Sequence, residues 1–157
     1  MDKITIKKKI FGPPENYLPR LIHELDKMVV FVQNIHLSNL NMSFLQLLII
    51  VHLKINGENG VNQKNLEKTF GVTSPVITHS LKSMQKKGYI SKEVNAADTR
   101  HFIIKLNDKG EEVFPQCSES LSKMEETFLK RLTPEELKDF IRLSYKLLGP
   151  DYDMTKF

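Results

Sequence analysis

Cysteine is almost missing: Cys117 is the only one. A lone thiol excludes an intrachain disulfide framework and fits a reducing compartment. No apolar run approaches the roughly 20 residues that a bilayer span needs, so no membrane partner is expected. Residues 1–9 carry Lys3, Lys7, Lys8 and Lys9 without an apolar segment behind them, which is not the pattern of a secretory signal. The expected place is the cytoplasm. Glycine is sparse, with seven residues, most of them placed as turns and helix caps. There is no phosphate-cradling loop, no dinucleotide fingerprint and no G-x-S-x-G elbow. An enzyme is therefore not expected, nor a cofactor. The five histidines, His23, His36, His52, His79 and His101, form no H-x-x-x-H pair and no Cys/His cluster with ligand spacing. Zinc would need ligands gathered from separate helices, and no metal site is expected.

What is present is enough apolar material for a packed interior, 40% of 157 residues, in one domain or two small lobes sharing a core. Charge is unevenly spread. The net charge is +4, but residues 61–110 carry nine Lys/Arg against four Asp/Glu, while residues 111–157 carry seven against ten. A basic middle on a balanced chain suits a phosphate-binding face, although lysines on any solvated surface would look the same.

The middle is also where the pattern is most specific. Residues 62–70 read as a helix capped by Asn62, and Gly71 sits where a tight turn needs a left-handed residue. Thr73 is placed to cap a second helix, with Pro75 in its first turn, where a missing amide costs nothing. Ile77, Leu81 and Met84 should pack inward. Ser74, Thr78 and Lys82 share a different face at steps of four, with Pro75 and His79 beside them. Gly88 closes the helix. Residues 89–94 and 100–106 read as two strands, joined by 95–99, a connection longer than a two-residue turn. Helix, turn, helix, hairpin is the order of a winged helix-turn-helix, whose second helix suits a DNA major groove.

The flanks are helical. After Pro13-Pro14, with Asn16 as N-cap, the residues Leu18, Leu21, Ile22, Leu25, Met28, Val29, Val32 and Ile35 make one stripe of about 20 residues. Phe31 falls off it, which predicts burial on a second side, by a partner chain. Ser43 and Gln46 fit a capping box opening a helix that should bury Phe44, Leu47, Leu48, Val51 and Ile55. Asn107 caps a later helix with the seam Phe114, Cys117, Leu121, Met124 and Phe128, which Pro115 should bend or delay. Thr133-Pro134 with Glu136 starts a last helix, striped by Leu137, Phe140, Ile141 and Leu147 and stopped by Gly149-Pro150. The fold class expected is mainly α with a small β-hairpin wing. Residues 1–12 form a basic arm, 13–40 and 108–149 a helical dimerisation region, 41–107 the winged helix-turn-helix, and 150–157 a polar tail.

Asp98-Thr99-Arg100, followed by Leu106-Asn107-Asp108-Lys109-Gly110, closely resembles the wing signature of the MarR family of transcriptional regulators. Upstream, Leu66, Gly71-Val72-Thr73, Val76-Ile77-Thr78, Leu81 and Lys87-Gly88-Tyr89-Ile90 match as well. The resemblance implies a homodimer whose first and last helices interlock, with two winged lobes on successive major grooves of a pseudo-palindromic double-stranded operator. It also implies a repressor relieved by a small anionic or phenolic effector; some members respond instead to zinc or to cysteine oxidation. Cys117 lies on an apolar seam and reads as a small hydrophobe. Carried over, Ser74, Pro75, Thr78, His79 and Lys82 would lie in or beside the major groove. Arg100 would be the wing arginine at the minor groove, oriented by Asp98; the alternative is an ion pair between them with no DNA role. Two departures stand out. Lys92 occupies a place where many members have arginine, and the tip Asn95-Ala96-Ala97 is uncharged, which predicts weaker, more salt-sensitive wing binding. A second functional reading is a dimeric ligand- or protein-binding scaffold with a degenerate wing.

Overall fold

The computed structural model describes residues 17–57, 61–95, 98–150 and 152; the side chains of 95 and 98–101 lie outside that description. The basic arm and the expected cap Asn16 therefore lie outside it as well. Among the described residues six helices and one small sheet follow in order: α1 Leu18–Leu37, α2 Phe44–Asn56, β1 Val61–Asn62, α3 Gln63–Phe70, α4 Ser74–Lys87, β2 Ile90–Asn95, β3 Asp98–Leu106, α5 Asp108–Leu129 and α6 Pro134–Leu148. The N-cap position of α1 is held by Tyr17, without a side-chain cap, and a proline in the first turn sets the helical φ in advance. None of the described helices is long and apolar enough to cross a membrane.

Helix α2 is the centre of the core. Its capping box forms as the sequence predicts: Gln46 N donates to Ser43 Oγ, and Ser43 N donates back to Gln46 Oε1. Its buried face differs from the expected one. Leu47, Ile49, Ile50 and Leu53 are buried, Phe44, Leu48 and Val51 are half-buried, and Ile55 is 69% exposed. The helix is apolar nearly all round, so its own period cannot select a face; contact with α4, α5 and β3 selects it. Around it close Leu66 of α3, Ile77, Leu81 and Met84 of α4, Ile104 of β3, and Cys117 and Met124 of α5.

Two further expectations are corrected. Pro115 does not delay α5, which is already helical seven residues earlier and runs on to Leu129. The proline and Glu111, whose carbonyl loses its amide donor, both lie on the exposed side, where water can satisfy that carbonyl. The hairpin connection is also shorter than expected. The strands pair from Ile90↔Leu106 to Val94↔Phe102, and the next pair is Asn95↔Asp98. Only positions 96 and 97 remain between the strands, and Thr99, Arg100 and His101 are taken up in a register irregularity on β3.

The sheet has the order β1-β3-β2, all antiparallel. Strand β1 has no counterpart in the sequence reading, because two residues are too few to show a period. It sets Val61 opposite Ile104 and Asn62 opposite Ile103. The outer helices are bare on one side. Helix α1 buries only Val32 and Leu37, and α6 buries nothing; Leu21, Ile22, Leu25, Phe31, Phe140 and Leu147 are all exposed.

Candidate nucleic-acid interface

Helix α4 is held by signals written in its own segment. Gly71 (φ 61°) and Gly88 (φ 80°) both take the left-handed conformation, ending α3 and α4 where the chain must reverse. Asn62 caps α3, its Oδ1 accepting from Asn65 N at 2.8 Å. Thr73 has the extended backbone of an N-cap but makes no side-chain cap bond. Ile77, Leu81 and Met84 then fix the inner face at 0% exposure, so the opposite face must point outward. At the far end, Lys87 Nζ donates to the carbonyl of Asn41 at 2.5 Å. Asn41 itself has a positive φ of 47° in the α1–α2 linker, a conformation asparagine tolerates better than most residues.

The outward face is concave. Ser74, Pro75, Thr78, His79 and Lys82 together line one open hollow of 410 Å³. These are five of the eight residues expected at DNA, and the fold gathers them on one face of α4. Lys92 lies elsewhere. It stands on β2 opposite Ile104 and lines a second groove of 330 Å³ between α3 and the wing, with Gln63, Lys64, Glu67 and Phe102. The backbones of Asp98 and Arg100 belong to β3; their side chains lie outside the described residues. Of the other wing cations, Lys105 is paired with Glu93 at 3.1 Å, so its charge is largely compensated.

A residue the sequence reading passed over joins the two grooves. Gln63 Nε2 donates to Thr78 Oγ1 at 2.9 Å and to Glu67 Oε1 at 3.0 Å, and lies 3.3 Å from Ser74 Oγ. Hydrogen bonds from Gln63, and then from Ser74, hold the Glu67 carboxyl below its ordinary value. The Gln63/Glu67 spacing of four was visible, but the reach to Thr78 spans the turn and has no local signature. Val76, quoted above only within the family match, is 45% exposed at the start of α4. Cys117 is buried, 3.8 Å from Met42 Sδ, and burial pushes its thiol up to about 11. That is the environment of an inert packing residue rather than of a reactive thiolate.

A capped two-helix reader with a three-stranded wing is a winged helix-turn-helix, the class of fold used by DNA-binding regulators of the MarR type. Solved structures bear this out. Over 95% of this chain and 100% of the other, the fold matches a mutant of E. coli MarR complexed with operator DNA, at TM-score 0.77 and 23% identity. A MepR–DNA complex from S. aureus matches at TM-score 0.76 and 22% identity, covering 82% of this chain and 93% of that one. CouR from Rhodococcus jostii, bound to p-coumaroyl-CoA, matches at 0.75 and 14%, over 90% and 98%. The family model described as transcriptional regulator SarA/Rot matches residues 32–117. The chain belongs to that family of transcriptional regulators.

Proposed function

We propose that the protein is a sequence-specific DNA-binding repressor that works as a homodimer on a pseudo-palindromic operator and releases it when a small anionic or phenolic effector binds. The observation that carries the reading is the hollow on α4, where hydroxyls, an imidazole and an ammonium converge on an exposed face. Hydroxyl, amide and cationic side chains at the start of a projecting helix are the groups that contact phosphates and base edges in the major groove. Lys92 and Arg100 extend the footprint along the wing toward the minor groove, with Asp98 bracing the arginine.

Support for the dimer comes from the apolar faces of α1 and α6, which a lone protomer leaves in water. Rows of large apolar side chains left exposed along a helix mark an interaction site. A two-fold pairing would set two α4 hollows about one helical turn of DNA apart. Ligand release is supported by likeness of fold: CouR carries p-coumaroyl-CoA. On this reading the protein works in the cytoplasm at the nucleoid, and it is a binding protein with no reaction of its own.

The test is selection of genomic fragments on the full-length protein, followed by titration of the retained duplex at several salt concentrations. Specific binding should weaken steeply with salt, because each neutralised phosphate releases condensed counterions. Arg100→Ala should weaken it without unfolding the protein. Retention of no fragment at all would move the assignment to the second reading, a dimeric ligand- or protein-binding scaffold.

A further inference from the structure

Two hydroxyls of the α4 hollow are met from behind by a side chain of a different helix. Gln63 opens α3, one turn before Glu67, and its amide reaches across the turn. Chemistry decides which end of the amide faces inward. An ionised carboxylate can only accept, so the atom 3.0 Å from Glu67 Oε1 is the NH2 group. That group has two protons. One goes to Glu67, and the shorter of the remaining contacts, 2.9 Å to Thr78 Oγ1, takes the other. Thr78 is thereby an acceptor toward Gln63, and its own proton has no acceptor among the described residues. A threonine inside a helix commonly spends that proton on the carbonyl four residues back, as Thr127 does on Lys123 at 2.8 Å. Thr78 makes no such bond among the described residues.

We propose that Gln63 is a positioning residue that fixes the Thr78 hydroxyl as a hydrogen-bond donor toward DNA, so that this position recognises an acceptor, a phosphate oxygen or a purine N7. The proposal rests on the reading of the hollow as DNA-facing.

The experiment uses the full-length protein and the duplex it selects. Purines in the half-site are replaced singly by 7-deazapurines in one arm, and phosphates singly by methylphosphonates in the other. For the wild type, one replacement should weaken binding about five- to tenfold, the effect of one hydrogen bond. The arm in which it falls tells base from backbone. Thr78→Val should weaken binding to the unmodified duplex by a similar factor and be indifferent to that replacement. Thr78→Ser, which keeps the hydroxyl, should keep the sensitivity. Gln63→Glu puts a pure acceptor against Thr78, turns its proton inward and should abolish the sensitivity. The added charge lowers affinity on its own account, so loss of sensitivity, not of affinity, is the readout.

A measurement without DNA checks the bond itself: Thr78→Val should move one of the two Gln63 side-chain amide protons in a 1H–15N spectrum. No movement would overturn the proposal. So would unchanged sensitivity in Gln63→Glu, or a wild type indifferent to every replacement in both arms, while DNA binding as such would stand. A wild type that retains no duplex would instead remove the DNA-facing reading, and this inference with it.

Discussion

Replacing Gly110 by alanine should destabilise the protein, against the usual sign for glycine in a helix. Gly110 is the third residue of α5. A Cβ there would meet the Tyr89 carbonyl oxygen at 2.2 Å and Leu106 Cδ2 at 3.0 Å. Ordinary contact is about 3.4 Å or more, so the backbones must separate by about 1.2 Å. The Tyr89 carbonyl is not free to yield, because it accepts the Asn107 amide at 2.9 Å, the bond that closes the base of the wing. Moving it costs that bond, about 1 kcal/mol, and overpacking adds about 1–3 kcal/mol. The helix propensity of alanine returns about 1 kcal/mol. The net loss is about 2 kcal/mol, or roughly 4–8 °C in Tm for a chain of this size. Thermal unfolding of wild type and variant at one protein concentration measures it. An unchanged or higher Tm would show that propensity alone governs the site and would refute the close approach. Gly71→Ala is the control, since nothing lies within 4 Å of a Cβ there and only its left-handed φ of 61° is at stake; it should cost about 1 kcal/mol.

Three further outcomes are expected. Burial raises the Cys117 pKa to about 11 from 9.0, so the folded chain holds that proton more tightly than the unfolded one. The resulting stability is complete below about pH 9 and is lost as pH rises toward 11; urea titrations should show the wild type losing about 2–3 kcal/mol more than Cys117→Ala across that window. Lys82→Ala should lower affinity for specific and random duplexes alike and reduce the slope of log K against log salt by about one for each phosphate contact removed. Phe31→Glu should give a folded monomer in sedimentation velocity, because Phe31 is 64% exposed in the protomer; an intact dimer would place the interface elsewhere.

The reading helix was legible from sequence because its signals are local. Gly71, Gly88 and the Ile77, Leu81 and Met84 spacing each act within a few residues, and the turn's geometry follows from them. The capping boxes at Ser43 and Thr133 were legible for the same reason. The buried face of α2 was not, since a helix apolar all round takes its orientation from its neighbours. The hairpin's length was hidden by a register irregularity that strand alternation does not show. The Gln63–Thr78 bond joins residues 15 apart across a turn, and no periodicity announces it. The bare faces of α1 and α6 carried a correct stripe pattern, but a stripe says only that a face seeks cover, not which chain provides it.

Asn62 has two attachments. Its backbone pairs with Ile103 in the wing sheet, and its side chain caps α3. That helix leads through the tight turn at Gly71 into α4, so the wing is tied through Asn62 to the helix pair rather than hung on a separate loop. A wing that flexed independently could absorb a poor base pair beneath it and leave the contacts of α4 untouched. A welded one transmits the misfit. Substitutions in the DNA under the wing and under the α4 hollow should then fail to add, whereas well-separated positions ordinarily do add. On this view each lobe judges its half-site as a whole word rather than letter by letter.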